Sequence, residues 1–209
     1  MTYRDALPRT ADVVVIGGGV VGAATAFHAC RAGLRTLLIE RRPRLCTLTT
    51  PASTGAFRLQ FDSREELELV RRSVELFLNF ADVTHQQEYE LDVRQQGYLF
   101  VTADAEGRDR QRRLVTAQHG WGQTDVELFT GEEARDRFPY LSNDVISARF
   151  RAGDGFLDPK QLTMGLAIAS GADILTACSV TGFRLSDSRL SGIETEKGTI
   201  STEHAVIAA

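Results

Sequence analysis

The sequence predicts an α/β fold: a parallel sheet begun by a strand–helix–strand unit and interrupted by an inserted α+β segment. Three observations carry this expectation. A β-branched run, Asp12–Ile16, passes through a glycine-rich turn into a helical stretch, and a second apolar run follows at Thr36–Glu40; such a βαβ unit takes a right-handed crossover. From Glu88 to about residue 150 the pattern changes to short alternating strands and polar helices. Apolar strands then resume and run to Ala209. The expected organisation is a first domain part at 1–85, an inserted segment at 86–150, and a second part of the first domain at 151–209.

Each element has a local reason. Asp12–Ile16 is a continuous apolar run of the kind buried on both faces of a parallel sheet. Its helix should end near Ala32, with Gly33 as the glycine that follows a helix C-terminus. Residues 41–61 form a long connection rich in Thr, Ser, Pro and Gly, a length usual for functional loops. Ser63 and Glu66 fit a capping box for a helix carrying Leu67, Val70, Val74, Phe77 and Ala81 inward, with a Glu68–Arg72 pair on its wet face. Tyr89–Val93 and Tyr98–Thr102 are expected to pair antiparallel across the intervening turn. A polar helix over Ala105–His119, a strand at Val126–Phe129, a helix capped by Thr130 and Glu133, and a strand at Val145–Arg151 complete the insert. Asp158-Pro159-Lys160-Gln161 is a strong helix start, and that helix ends at Gly171. Ile174–Ala177 returns to the sheet, a three-stranded meander spans Val180–Ser201, and Ala205–Ala209 is a final apolar strand.

Composition removes several function classes. In 209 residues, 43% hydrophobic and 25% charged, the balance is globular rather than disordered or coiled-coil. A net charge of −4 offers no basic surface to nucleic acid or anionic lipid. Basic residues are 22 arginines and two lysines, so one arginine alone is weak evidence of a site. Cys30, Cys46 and Cys178 are an odd count without metal or disulfide spacing, which favours a reducing compartment. Val13–Phe27 is too short to span a bilayer and is broken by glycines. The expected location is the cytoplasm.

Chemistry concentrates at Gly17-x-Gly19-x-x-Gly22, which follows a strand and opens a helix, with Glu40 ending the next strand. Gly17 permits the tight turn, Gly19 lets the backbone approach a pyrophosphate, and Gly22 allows close helix–strand packing. The helix N-terminus offers N–H groups and partial positive charge to phosphates. Glu40 can accept both hydroxyls of an adenosine ribose and would repel a 2′-phosphate, which disfavours NADP. These residues together predict a dinucleotide site.

Further segments carry a resemblance. Val13 to Arg42, then Ser53-Thr54-Gly55-Ala56-Phe57-Arg58, Gly97-Tyr98-Leu99-Phe100, Asp154-Gly155-Phe156-Leu157-Asp158-Pro159 and Ala205–Ala209 occur in the order seen in the D-amino-acid oxidase superfamily. The chain resembles its sarcosine, dimethylglycine and glycine oxidase-like branch, over nearly its whole length. That resemblance implies a Rossmann-like, glutathione-reductase-type FAD-binding domain interrupted by a substrate-domain insert. It implies oxidation of a C–N bond in a small amine or N-methyl amino acid, by hydride transfer to flavin N5. Gly17, Gly19, Val20, Val21, Gly22, Glu40 and Arg41 match positions around the ADP half; Ser53, Thr54 and Gly55 match a loop near the pyrophosphate and isoalloxazine. Val180 matches a backbone contact to adenine, and Arg58 is the candidate for a substrate carboxylate. Thr47 to Gly55 holds neither His nor Cys, so the FAD is expected to be non-covalent, with Cys46 incidental.

Family members are longer, so the chain is expected to be the N-terminal portion of a larger protein, continued past Ala209 or completed by a partner subunit. His28, His85, His119 and His204 lack metal-ligand spacing, and no metal is expected. Two other readings stand beside the oxidoreductase: an FAD- or ADP-binding subunit inactive without a partner, and an NAD-dependent dehydrogenase. The long loop after Glu40 and the meander before the last strand disfavour the second.

Overall fold

The computed structural model describes residues 2–209. The described residues divide into two compact units, the first made of 2–54, 80–92 and 158–209 and the second of 55–79 and 93–157.

The first unit is built on a five-stranded, wholly parallel sheet. Its strands lie in the order Thr2–Tyr3, Asp173–Leu175, Thr36–Ile39, Val13–Ile16, Ala205–Ile207. Val14 faces Leu37 on one side and Ala205 on the other, so the strand before the glycine turn is central. Asp12 accepts the Arg35 N–H at 2.8 Å and the Arg35 guanidinium at 2.7 Å, which aligns the starts of the two strands. Alternation splits the apolar runs between two faces. Val14, Leu37, Ile39 and Leu175 join Ile193 and Ile200 of the antiparallel meander Val180–Ser186, Arg189–Thr195, Gly198–Ser201 in one buried cluster. Helices Val20–Arg31 and Pro159–Ser170 pack together on the unit's other layer. Both have the expected ends: Gly33 and Gly171 take left-handed backbone, and Asp158 caps the N–H groups of Lys160 and Gln161.

The second unit has a three-stranded antiparallel sheet, Tyr98–Thr102, Ser147–Arg151, Glu127–Thr130 in spatial order. Helices Arg64–Leu78, Ala105–Gly120 and Gly131–Arg137 and the short pair Ala56–Phe57 with Gly155–Phe156 accompany it. The box expected at Ser63 forms by half, Ser63 accepting the Glu66 N–H while the Glu66 carboxylate takes the Ser63 hydroxyl instead of its backbone N–H, and Thr130 with Glu133 closes a full reciprocal box. The exposed ion pair on the first of these helices is Arg64–Glu68 at 2.6 Å, one turn before the expected Glu68–Arg72.

One pairing differs from the sequence expectation. Tyr89–Val93 is not a strand and does not pair with Tyr98–Thr102, whose partner is Ser147–Arg151. The reason is local. Tyr89 is drawn into the first unit, where its hydroxyl donates to the Gln161 carbonyl at 2.7 Å and its ring packs with Phe80 over Gly165. Gly97, at φ +82°, then donates its N–H to the Asp154 carbonyl, and Arg94 bridges Phe156. The turn therefore sends the chain towards a remote strand rather than back on itself.

The compact units also part at other places than 85/86 and 150/151. Residues 55–79 go with the second unit because Asp154, fully buried, binds the Leu59 N–H at 2.8 Å and the Gln60 amide at 3.1 Å, while Gln118 donates to the Phe61 carbonyl. Among the described residues, no helix is long and apolar enough to cross a membrane.

Candidate dinucleotide site

The glycine turn closes as its spacing demands. Gly17 sits at φ +115° and donates to the Ile39 carbonyl at 2.8 Å, tying the end of one strand to its neighbour. A Cβ on Gly17 would come within 2.6 Å of the Ala208 carbonyl oxygen, so only glycine fits beside the returning strand. A Cβ on Gly22 would overlap the Gly17 carbonyl, which is the close helix–turn approach expected of the third glycine. Gly19 caps the helix in extended conformation without a side-chain cap, and no acidic residue occupies the first turn. The helix's own first turn therefore places no carboxylate in the way of an incoming phosphate.

Glu40 is fixed by the backbone. Its Oε2 accepts the Gly18 N–H and its Oε1 the Arg42 N–H, each at 2.7 Å. The Glu40 carbonyl in turn accepts the Cys178 N–H at 3.1 Å, and that of Arg42 the Ala177 N–H at 2.9 Å, so the segment leading to Val180 is held beside the glycine turn. Thr50 Oγ1 accepts the Val20 N–H at 3.2 Å from the far end of the connecting loop.

These contacts frame a cavity of about 730 Å³ within the first unit. Of the sequence-predicted residues, Gly17, Gly19, Val20, Val21, Glu40, Arg41, Ser53 and Val180 line it. Gly22 lies beneath it as a packing residue, and Thr54 and Gly55 are not among its walls. Cys46, expected to be incidental, is part of the wall, with its N–H donated to the Gly18 carbonyl at 2.8 Å. Sequence reasoning missed Gly18 and Thr50. The glycine spacing passes over the first, which is an unspecified position within it, and the second lies 30 residues from the N–H it accepts, beyond a helix, a strand and an irregular loop, which no local pattern encodes. The donor set, the open helix N-terminus and a cradle that side chains would fill fit the ADP half of FAD. Among the described residues no cluster of His, Cys, Asp or Glu is placed to hold a metal ion.

Arg58 lies in the second unit, on the wall of a separate cavity of about 550 Å³. Its guanidinium sits over Phe61, Phe100 and Tyr98, at 5.0, 5.7 and 5.8 Å from the ring centres, and its buried Nε has no hydrogen-bond partner in the protein.

Known proteins agree with this architecture. The chain is 29% identical over 209 residues to human (Homo sapiens) mitochondrial sarcosine dehydrogenase, covering 94% of this chain and 22% of that protein. It is 26% identical to the mitochondrial pyruvate dehydrogenase phosphatase regulatory subunit of Mus musculus, over 96% of this chain and 23% of that one. The crystal structure of L-proline dehydrogenase from P. horikoshii superposes with a TM-score of 0.86 at 32% identity, covering 97% of this chain and 54% of that one. The chain thus spans about a fifth of these longer relatives and about half of the solved structure. A family model matches residues 12–209, from the strand before the glycine turn to the strand that returns beside it, and the chain accordingly belongs to the FAD dependent oxidoreductase family DAO.

Proposed function

We propose that the chain is the FAD-binding part of an oxidoreductase that oxidises the C–N bond of a small amine or N-methyl amino acid. The observation that carries this is the Gly17–Gly22 cradle closed by a backbone-fixed Glu40, in a chain of an FAD-dependent family. Sarcosine and proline, named in two of the relatives, are both secondary amines beside a carboxylate. FAD, when bound, supplies an acceptor for the hydride leaving the carbon next to nitrogen. The chain's part is to bind and orient. Gly17, Gly19, Val20 and Val21 would take the pyrophosphate at the helix N-terminus, Gly22 keeping that helix close to the turn. Glu40 and Arg41 would hold the adenosine ribose, and the Val180 backbone the adenine. Ser53, Thr54 and Gly55 would border the pyrophosphate and the flavin ring, with FAD held non-covalently. Arg58, in the second unit, would pair with the substrate carboxylate through its planar fork.

A second reading has one observation in its favour. The similarity to a regulatory subunit extends over 96% of the chain, which suits a flavin-binding subunit that works only with a partner. Anaerobic mixing of the flavin-loaded protein with sarcosine and with L-proline separates the two. Bleaching of the flavin absorbance by either compound is expected; a protein that keeps its flavin and is bleached by neither supports the subunit reading.

A further inference from the structure

We propose that the cavity of the second unit binds a small dianion, held by Arg149 together with Arg58. Arg149 projects from the strand Ser147–Arg151 and is only 6% exposed, yet its Nε and Nη1 have no hydrogen-bond partner in the protein. Both arginines line the same cavity of about 550 Å³, a size that takes a small organic ligand. Among the described residues the acidic partner of Arg149 is Asp62, whose Oδ1 accepts the Arg149 Nη2 at 3.4 Å while its Oδ2 is held by Arg110 at 2.6 Å, so one carboxylate is shared between two guanidinium groups. Arg151, two residues along on the same strand face, also leaves its Nε without a partner, but both of its terminal nitrogens are taken, by Asp125 at 2.8 Å and Asp154 at 2.7 Å.

The charges point the same way. Burial works against the Arg149 cation, Asp62 offsets this only in part, and Arg110 and Arg58 repel it. A guanidinium does not lose its proton in a protein, so the fold carries an under-compensated buried charge. The other acid on the wall, Glu66, is engaged in the helix cap with Ser63. Arg58 thus has no carboxylate among the described residues and Arg149 only a shared one, with Nε and Nη1 still to be satisfied, and a ligand carrying two negative charges would supply both. Phe100 lies 4.4 Å from the Arg149 guanidinium carbon, which stacks the planar group and leaves its N–H edges for in-plane bonds to oxygen.

The Arg58 half of this proposal deepens the substrate reading above; the Arg149 half stands without the flavin. The test is calorimetric titration of the full protein, with and without FAD, using succinate, inorganic phosphate and acetate at constant ionic strength. Succinate or phosphate should bind at least tenfold more tightly than acetate, and which of the two does so identifies a dicarboxylate or a phosphate ligand. Arg149→Met should erase that preference, while Asp62→Asn, which removes the competing carboxylate, should tighten binding. Opposite signs in the two variants cannot come from unfolding. Equal affinity for acetate and both dianions, or an Asp62→Asn variant that binds no better, overturns the proposal. A protein that never retains FAD but passes this titration refutes the flavin reading alone.

Discussion

At Glu40 each carboxylate oxygen accepts one backbone N–H and keeps a lone pair for an incoming hydroxyl. Glu40→Gln preserves the shape but puts an amide NH2 where one N–H must be accepted. It should weaken FAD binding by about 1.5–3 kcal/mol, the worth of charge-assisted hydrogen bonds, in a flavin-fluorescence titration of the folded apoprotein. An unchanged affinity would remove Glu40 from the site. At Arg58, replacement by Lys keeps the charge and loses the planar fork, so KM for a carboxylate substrate should rise more than kcat falls. Asp125 contributes to the acid limb of stability. Burial pushes its carboxyl upward, but hydrogen bonding and attraction from Arg151, with help from Gln123, outweigh this and hold it below the ordinary range. A carboxyl lowered in the folded state stabilises fully above its unfolded pKa of about 3.9, and that contribution drains as pH falls through the lower folded value. Urea midpoints compared at pH 6 and pH 3 should fall less for Asp125→Asn than for the parent protein.

Helix ends were the most readable elements, because a cap is decided by four adjacent residues. Asp158 illustrates this: its Oδ1 accepts the N–H groups of Lys160 and Gln161, and Asp158→Ala should cost about 0.5–2 kcal/mol in denaturant unfolding. The glycine turn was equally readable, since each glycine answers a steric demand within the βαβ unit itself. Gly22→Ala would drive a methyl group into the Gly17 carbonyl; the expected result is a displaced helix start and loss of flavin retention on gel filtration. Strand partners were less readable. Tyr98–Thr102 has the alternation of a strand but nothing in it specifies Ser147–Arg151, which lies more than 40 residues on. Nearest-neighbour reasoning therefore chose Tyr89–Val93, whose apolar ring was needed elsewhere.

On the scale of the molecule, the α/β class and the existence of an insert could be read from the change of pattern near Glu88, but the division into compact units could not. Residues 55–79 join the second unit through buried polar contacts to Asp154 and Gln118, and such contacts leave no periodic signature. The cavity of Arg58 and Arg149 was invisible for the same reason, with its two arginines 91 positions apart among 22. The whole protein is expected to release its flavin on acid precipitation, giving a yellow supernatant. A yellow pellet would mean a covalent link and would contradict the reading of Thr47 to Gly55. The sheet order also sets a timetable. Val15 pairs with Val206, so the strand at the heart of the nucleotide cradle acquires one of its neighbours only after about 190 more residues have been made. At about 5–20 residues per second, the ribosome takes on the order of 10–40 s to deliver it. Throughout that interval Val13–Ile16 presents an open, β-branched edge, the kind of surface that recruits other nascent chains. Chaperone occupancy during synthesis should therefore persist until residues 205–207 clear the exit tunnel.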